Sequence, residues 1–467
     1  MVKGVLRSIG LAAGLAAATH ALTARAVDPT EQPAPQPSAA ADAPANQPAT
    51  ASGGVPTGGS EEIPRPPAKG PSQPGYVINT AQGDTLVVGG YIHADFRAFV
   101  GYGSDAYVDQ FLLRQVRPVL EGTIRDRFDY RLLTDFAGGK VVVQEAFGDV
   151  RFLPYLKLRV GKFKSPVGLE RLQNSNAVVF AERAFPTNLA PNRDTGVQVF
   201  GEIDGLVTYA IALLDGAADN GITETDQDSN KEGAARIFLT PFARSGLAPL
   251  EGLGIGVSGT WGAPTGTAAS PQLPTYLSPG QNTIFAYASG TTGGAPDLTK
   301  TVVAAGDHVR WDVQGYYYAG PLGLQGEYID SRQRVKKGAT ALDADHRAWA
   351  VTASFVLTGE RATYRMIVPD RPFDPATGRW GALELAGRYQ WIRFDDALFV
   401  NDVFADARQQ VRGAHAWGAG INWYLDRSFR IMLDYDRTGF LGGASSGGQE
   451  IDRTPEQVLI GRAQIVF

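Results

Sequence analysis

Cysteine is absent from all 467 residues, and methionine occurs only three times. Without thiols there is no disulfide framework, no thiolate zinc site, no iron–sulfur ligation and no cysteine nucleophile. Histidine is scarce, at five, and no His-x-x-x-His pair occurs, so the usual helical catalytic-metal pattern is missing. No run of about 20 apolar residues follows the N-terminal region, so no helix is expected to anchor the mature chain in a bilayer. Excess positive charge is missing too. The 43 Lys and Arg face 48 Asp and Glu, a formal net of −5, which argues against a nucleic-acid partner. At about 150 residues per domain the length allows three domains, although large all-β barrels run as one.

What is present is glycine, at 56 residues, and 10% aromatics. Residues 1–26 read as a cleaved signal peptide. Lys3 and Arg7 form a basic start, Ile9 to Ala18 an apolar stretch too short to span a bilayer, and Ala24-Arg25-Ala26 a small-residue cleavage site. Cleavage removes three of the 43 basic residues and no acidic one, so 40 against 48 leaves the mature chain at −8. Residues 27–75 are rich in Pro, Ala, Gly, Ser and Gln, with almost no large apolar side chain. They are expected to form a disordered or polyproline-like periplasmic tether.

From residue 87 a period of two dominates. Ile92, Ala94, Phe96, Ala98 and Val100 share one parity, and Tyr91, His93, Asp95 and Arg97 the other. The alternation returns near 310, with Val309, Trp311 and Val313 against Arg310, Asp312 and Gln314, and again near 383 and 429. Sixteen segments follow this pattern: 87–100, 111–124, 128–137, 141–152, 155–162, 195–202, 206–214, 234–241, 252–262, 308–319, 322–331, 346–358, 381–394, 413–425, 428–437 and 456–467. An even count with most segments of about 9–11 residues or longer fits strands crossing a membrane at a tilt. Connections after segments 2, 4, 6, 10 and 14 are short, and those after 5, 7, 9, 11, 13 and 15 are long. Two connections, 242–251 and 359–380, fall where short turns are expected and are long. The chain ends in Phe467, with Leu459, Gly461, Ala463 and Ile465 on its parity, like the terminal signal of outer-membrane barrels. The expected fold is therefore all-β, a 16-stranded antiparallel transmembrane β-barrel over residues 76–467 in the outer membrane of a Gram-negative-type cell.

Several stretches resemble the phosphate-selective porins O and P. They include Phe111-Leu-Leu-Arg-Gln-Val-Arg117, Phe128-Asp-Tyr-Arg-Leu-Leu-Thr-Asp-Phe-Ala137 and Leu158-Arg-Val-Gly-Lys-Phe-Lys-Ser-Pro-Val-Gly-Leu-Glu170. Asn192-Arg-Asp-Thr-Gly-Val-Gln198, Trp380-Gly-Ala-Leu-Glu-Leu-Ala-Gly-Arg-Tyr389 and Gly420-Ile-Asn-Trp-Tyr-Leu425 continue the pattern, with Gly-Lys-Phe-Lys-Ser-Pro the most specific part. The resemblance implies a trimeric channel whose third extracellular loop folds inward as a constriction. Here that loop is 163–194. Lys157, Arg159, Lys162, Lys164, Arg171, Arg183 and Arg193 cluster around it, against Glu170 and Glu182. Guanidinium and ammonium groups at a narrow point can replace an anion's hydration. The plainer reading is a solvated or internally paired loop.

Parity also puts charge on the lumen wall. The basic members are Arg97, Arg117, Arg131, Arg151, Arg159, Arg310, Arg388, Arg430 and Arg462. Asp95, Glu121, Asp135, Glu145, Asp149, Asp312, Glu327, Glu384 and Asp434 balance them, so cross-wall ion pairs are an equal alternative to a conducting role. Gly254-Ile-Gly256-Val-Ser-Gly259 matches a phosphate-loop spacing, but no helix follows it. Asp226-Gln-Asp228-Ser-Asn230 begins like a calcium loop but lacks its glycine and closing glutamate. No metal or other cofactor is expected. The functional expectation is passive diffusion of small hydrophilic solutes, biased to anions such as phosphate, with lipid and lipopolysaccharide around a homotrimer. The alternatives are a non-selective porin, an outer-membrane barrel enzyme, and a structural barrel. Against the enzyme, no nucleophile motif stands beside His93, His308, His346 or His415.

Overall fold

Alternation of apolar and polar residues commits a segment to extended backbone, because only there do successive side chains leave on opposite faces. A computed structural model describes residues 75–467 except 82, 102–106 and 223–227. The expected signal peptide and all of the expected tether but Gly75 lie outside the described residues. Sixteen strands form the wall. The first eight are β1 (Thr85–Phe99), β2 (Gln110–Ile124), β3 (Phe128–Asp135), β4 (Val142–Leu153), β5 (Leu156–Lys164), β6 (Arg193–Ile203), β7 (Val207–Leu214) and β8 (Glu232–Leu239). The others are β9 (Leu253–Gly262), β10 (Val303–Ala319), β11 (Leu322–Lys337), β12 (Thr340–Val356), β13 (Ala382–Arg393), β14 (Val411–Tyr424), β15 (Phe429–Ser446) and β16 (Glu456–Val466).

Each strand pairs antiparallel with its sequence neighbours, and β16 closes onto β1 from Tyr91↔Val466 to Phe99↔Val458. Closure leaves no open edge along the wall. The terminal Phe467 completes the seam: its N–H donates to the Gly90 carbonyl at 3.0 Å, and Gly90 N–H donates back at 2.7 Å. A short strand, Gly75–Asn79, pairs with the start of β1.

The two parities separate as expected. On β15, Arg430, Met432, Asp434, Asp436 and Thr438 are buried, whereas Ile431 and Leu433 are exposed. On β10 the exposed set is Val309, Trp311 and Val313, and the buried set Arg310, Asp312 and Gln314. Apolar residues thus face away from the lumen and polar ones line it, the reverse of a water-soluble barrel.

Two expected connections are corrected: after the fifteenth strand there is no long loop, because β15 runs on to Ser446 and turns through Gly447 and Gly448 into a paired return strand, Gln449–Asp452. The connection after the eleventh strand is not a long loop. β11 and β12 run on to Lys337 and Thr340, joined by Gly338 and Ala339. The charge-rich stretch hid this extension. Arg332 and Arg334 are strongly exposed and reach Asp343 at 3.1 and 3.2 Å, so the charges lie across a paired ladder. The long connections 240–252 and 357–381 do join strands at the short-turn rim. The second has interior contacts: Ile367 is buried, Met366 packs against Tyr91, Val119, Leu133 and Val466, and Tyr364 Oη donates to the Leu169 carbonyl.

Residues 165–192, 263–302 and 394–410 contribute to one apolar cluster with the wall. Val167, Phe185, Leu189, Tyr276, Phe285, Phe394 and Phe399 meet Ile329, Val335, Ala348 and Ile392. Each buried phenylalanine contributes about 1.5–3 kcal/mol.

Candidate functional site

Residues 165–192 join β5 to β6 and are bonded mainly to distant strands. Arg430 donates to the Val178 carbonyl at 2.8 Å and to Val179 at 3.2 Å. Arg388 donates to the Glu182 carbonyl at 2.8 Å, pairs with Asp436 at 3.2 Å and lies 4.2 Å over the Phe180 ring. The Ala181 N–H donates to Asp434, Phe185 N–H to Gln390, and Leu169 N–H to Glu327. Gly418 and Gly420 on β14 make room for Phe180: a Cβ on Gly418 would sit 3.1 Å from the ring.

Glu182 is the strongest anchor. Arg97 and Arg114 each reach its Oε1 at 2.7 Å, and Arg114 also donates to Oε2 at 3.0 Å. Burial alone would raise this carboxyl, but Arg114, Arg462 and Arg97 outweigh it and hold it at about 2. Arg114 lies on the parity opposite to Arg117. It reaches Glu182 beside a register skip between β1 and β2, where the partner of His93 is Gln115 and that of Ala94 is Leu113.

The expected lumen-wall arginines are engaged with carboxylates or carbonyls. Arg117 meets Asp135 at 2.7 Å, Arg131 meets Glu121 and Glu145, and Arg151 meets Asp129. Arg310 meets Asp219 and Glu232, both at 2.6 Å, and Arg462 grips Asp95 at 2.7 Å through two nitrogens. Asp219 also accepts from Tyr276 Oη and Ser331 Oγ, tying its own stretch, 215–222, and residues 263–302 to β10 and β11. These pairs brace the barrel and its loops.

Against residues 165–192 lies a cavity of about 380 Å³, lined by Pro166, Leu172, Asn174 and Ser175 of that segment and by β1 and β3–β8. Arg131, Arg159, Lys164, Arg193 and Arg236 line it, and Glu145 is the one carboxylate among the lining residues. Arg193 and Arg131 share Glu145 at 2.9 and 3.0 Å, while Arg159 is paired with Asp149 at 2.7 Å. Lys164 donates to the carbonyls of Leu172 and Gln173, and Arg236 donates to Gln314 at 3.0 Å. Neither has a carboxylate within salt-bridge reach among the described residues. Cations facing a space with low-dielectric walls produce a field that solvent screens poorly.

Of the seven loop-region cations singled out in the sequence, Arg159, Lys164 and Arg193 line this cavity. Lys157 lies 5.8 Å from the Phe200 ring centroid, and Lys162 is buried on β5. Arg171 donates to the Thr187 carbonyl of the same segment and to Asn220 Oδ1 at 2.6 Å, and Arg183 donates to the segment's Glu170 and Gln173 carbonyls. Sequence reasoning missed Arg236. Its signal was present: Ala234, Arg236 and Phe238 alternate with the more exposed Ala235 and Ile237. Asp226 of the calcium-like stretch lies outside the described residues. Gly443-Ala-Ser445-Ser-Gly447 has the spacing of a serine nucleophile elbow but sits at an exposed hairpin tip with no helix after it.

The model of the family described as phosphate-selective porin O and P matches residues 87–438. The chain belongs to that family. It is an outer-membrane porin, and the family indicates a channel rather than an enzyme. Solved structures share the fold at low identity. The outer membrane channel DcaP of Acinetobacter baumannii has a TM-score of 0.52 at 10% identity, covering 84% of this chain and 99% of its own. OmpT of Vibrio cholerae gives 0.51 at 11%, covering 84% and 99%. An anion-selective porin from Comamonas acidovorans gives 0.50 at 10%, covering 82% and 100%. No curated protein sequence matches.

Proposed function

We propose that this porin admits small hydrophilic solutes by passive diffusion and prefers anions, with phosphate-type oxyanions as the first class to test. The carrying observation is the cavity in which five cations face one lining carboxylate. In this reading residues 165–192 are the inward-folded third extracellular loop. Arg159, Lys164 and Arg193, joined by Arg131 and Arg236, form the basic constriction, while Arg171 and Arg183 keep the loop in shape. The hydrogen bonds that Arg430 and Arg388 donate to that segment, and the one that Gln390 accepts from it, support the inward course.

The remaining organisation belongs to the same proposal. Residues 1–26 are a cleaved signal peptide and 27–75 a periplasmic tether. The exposed apolar parity contacts lipid and lipopolysaccharide, and three copies form a homotrimer. One similar structure is a trimer form of Vibrio cholerae OmpT. A non-selective porin is the second reading, favoured by the carboxylate pairing of most wall arginines. Planar-bilayer recording across a salt gradient separates the two. An anion-side reversal potential supports the first, and a potential near zero supports the second.

A further inference from the structure

We propose that the basic cavity binds organic carboxylates carrying a ring or compact apolar skeleton, and retains them longer than inorganic phosphate. This rests on the anion-channel reading and narrows the class of solute.

The cavity, at about 380 Å³, falls in the range of about 300–1,000 Å³ typical of small-molecule sites. An ion of one phosphorus and four oxygens leaves most of such a space to water. Its walls are also not those of an inorganic-ion filter, where donors surround the ion. Besides the cations they include Leu133, Phe147, Leu172, Phe200 and Tyr209. Apolar surface does nothing for a small oxyanion but stabilises a hydrocarbon part by its removal from water.

Charge and ring surface meet at one point. The Arg159 guanidinium lies 3.7 Å from the Phe147 centroid and 4.8 Å from that of Phe200, a stack of alternating planar groups. Guanidinium planes and aromatic faces stack on further rings as readily as on each other. Among the same lining residues, Lys164 and Arg236 carry charge with no carboxylate of their own, and Arg236 Nε is buried without a hydrogen-bond partner. A ligand carboxylate would supply both, with its ring against the stack. The ligand class is thus a monoanion with one carboxylate and a flat apolar body, of which benzoate is the simplest probe.

The test uses the full chain in planar bilayers, with potassium benzoate, acetate or phosphate added to potassium chloride. Acetate matches the charge of benzoate without its ring. Benzoate is expected to interrupt the chloride current with residence times at least about tenfold longer than acetate or phosphate, each tenfold being 1.4 kcal/mol. Phe200→Leu, which removes the ring but keeps a similar apolar volume, should shorten benzoate events and leave acetate events unchanged. Arg236→Gln should shorten both and covers the case in which the first variant does not fold. Equal residence for benzoate and acetate in an anion-selective channel overturns the proposal and leaves the channel reading intact. Longer residence for phosphate than for benzoate overturns it as well. Loss of anion selectivity in the unmodified protein would instead remove the reading beneath it.

Discussion

Replacing Glu182 by glutamine should release residues 176–190 from the wall without unfolding the barrel. The substitution keeps the shape of the side chain and removes the one charge that Arg97 and Arg114 contact at 2.7 Å, leaving both arginines beside a neutral amide. Breaking a buried pair from one side costs about 3–5 kcal/mol, because the partner charge stays buried. The carboxyl itself gives a similar figure. It is held at about 2, against roughly 4.3 in an unfolded chain, a difference worth on the order of 3 kcal/mol. At 1.4 kcal/mol per tenfold, local opening should become roughly 10²- to 10⁴-fold more frequent. Amide hydrogen exchange of the detergent-solubilised protein reads this directly. Amides of 176–190 should exchange faster by that factor, while those of β10–β12 keep their protection. Glu182→Asp, which retains the charge, should recover part of it. Unchanged exchange over 176–190 would refute the anchoring role of Glu182.

Three further outcomes follow from the same contacts. Lowering the pH should loosen the same segment. A depressed carboxyl gives stability that is fully present above its unfolded value and lost as pH falls towards about 2, so protection over 176–190, taken relative to the intrinsic exchange rate at each pH, should be flat above pH 5 and fall below about 4.3. Gly418→Ala should destabilise the seat of Phe180 by about 1–3 kcal/mol, seen as a lower thermal midpoint, since the new Cβ would lie 2.4 Å from an Asp436 oxygen that Arg388 holds. Asp219→Asn should cost about 3–5 kcal/mol by leaving Arg310 under-compensated, and proteolysis within 263–302 should rise, because Tyr276 loses its charged acceptor there.

The wall was legible in the sequence because period-two alternation is a local property. Arg430, Asp434 and Asp436 declare their side of β15 within a few residues, whatever they later touch. Reading failed where a second influence entered. The exposed ladder of Arg332 and Arg334 carries charge on the outward parity, so it resembled a loop. Arg114 lies beside a register skip, where parity no longer assigns a face. The site was largely legible: Arg159, Lys164 and Arg193 sit close in sequence, and parity put Arg131 and Glu145 on the lumen wall, while Arg236 arrives from a strand whose charge was passed over. What holds residues 165–192 was not legible at all. Its partners include Arg114, 68 residues from Glu182, and Arg430, 252 residues from Val178, and nothing in either stretch names the other.

The preference for anions is tested most directly by the reversal potential of the reconstituted protein across a tenfold potassium chloride gradient. The five cations around Glu145 predict a potential on the chloride side, and Lys164→Gln with Arg236→Gln should move it towards zero. A potential on the potassium side, or one that the double variant leaves unmoved, would contradict the assignment of selectivity to this cavity.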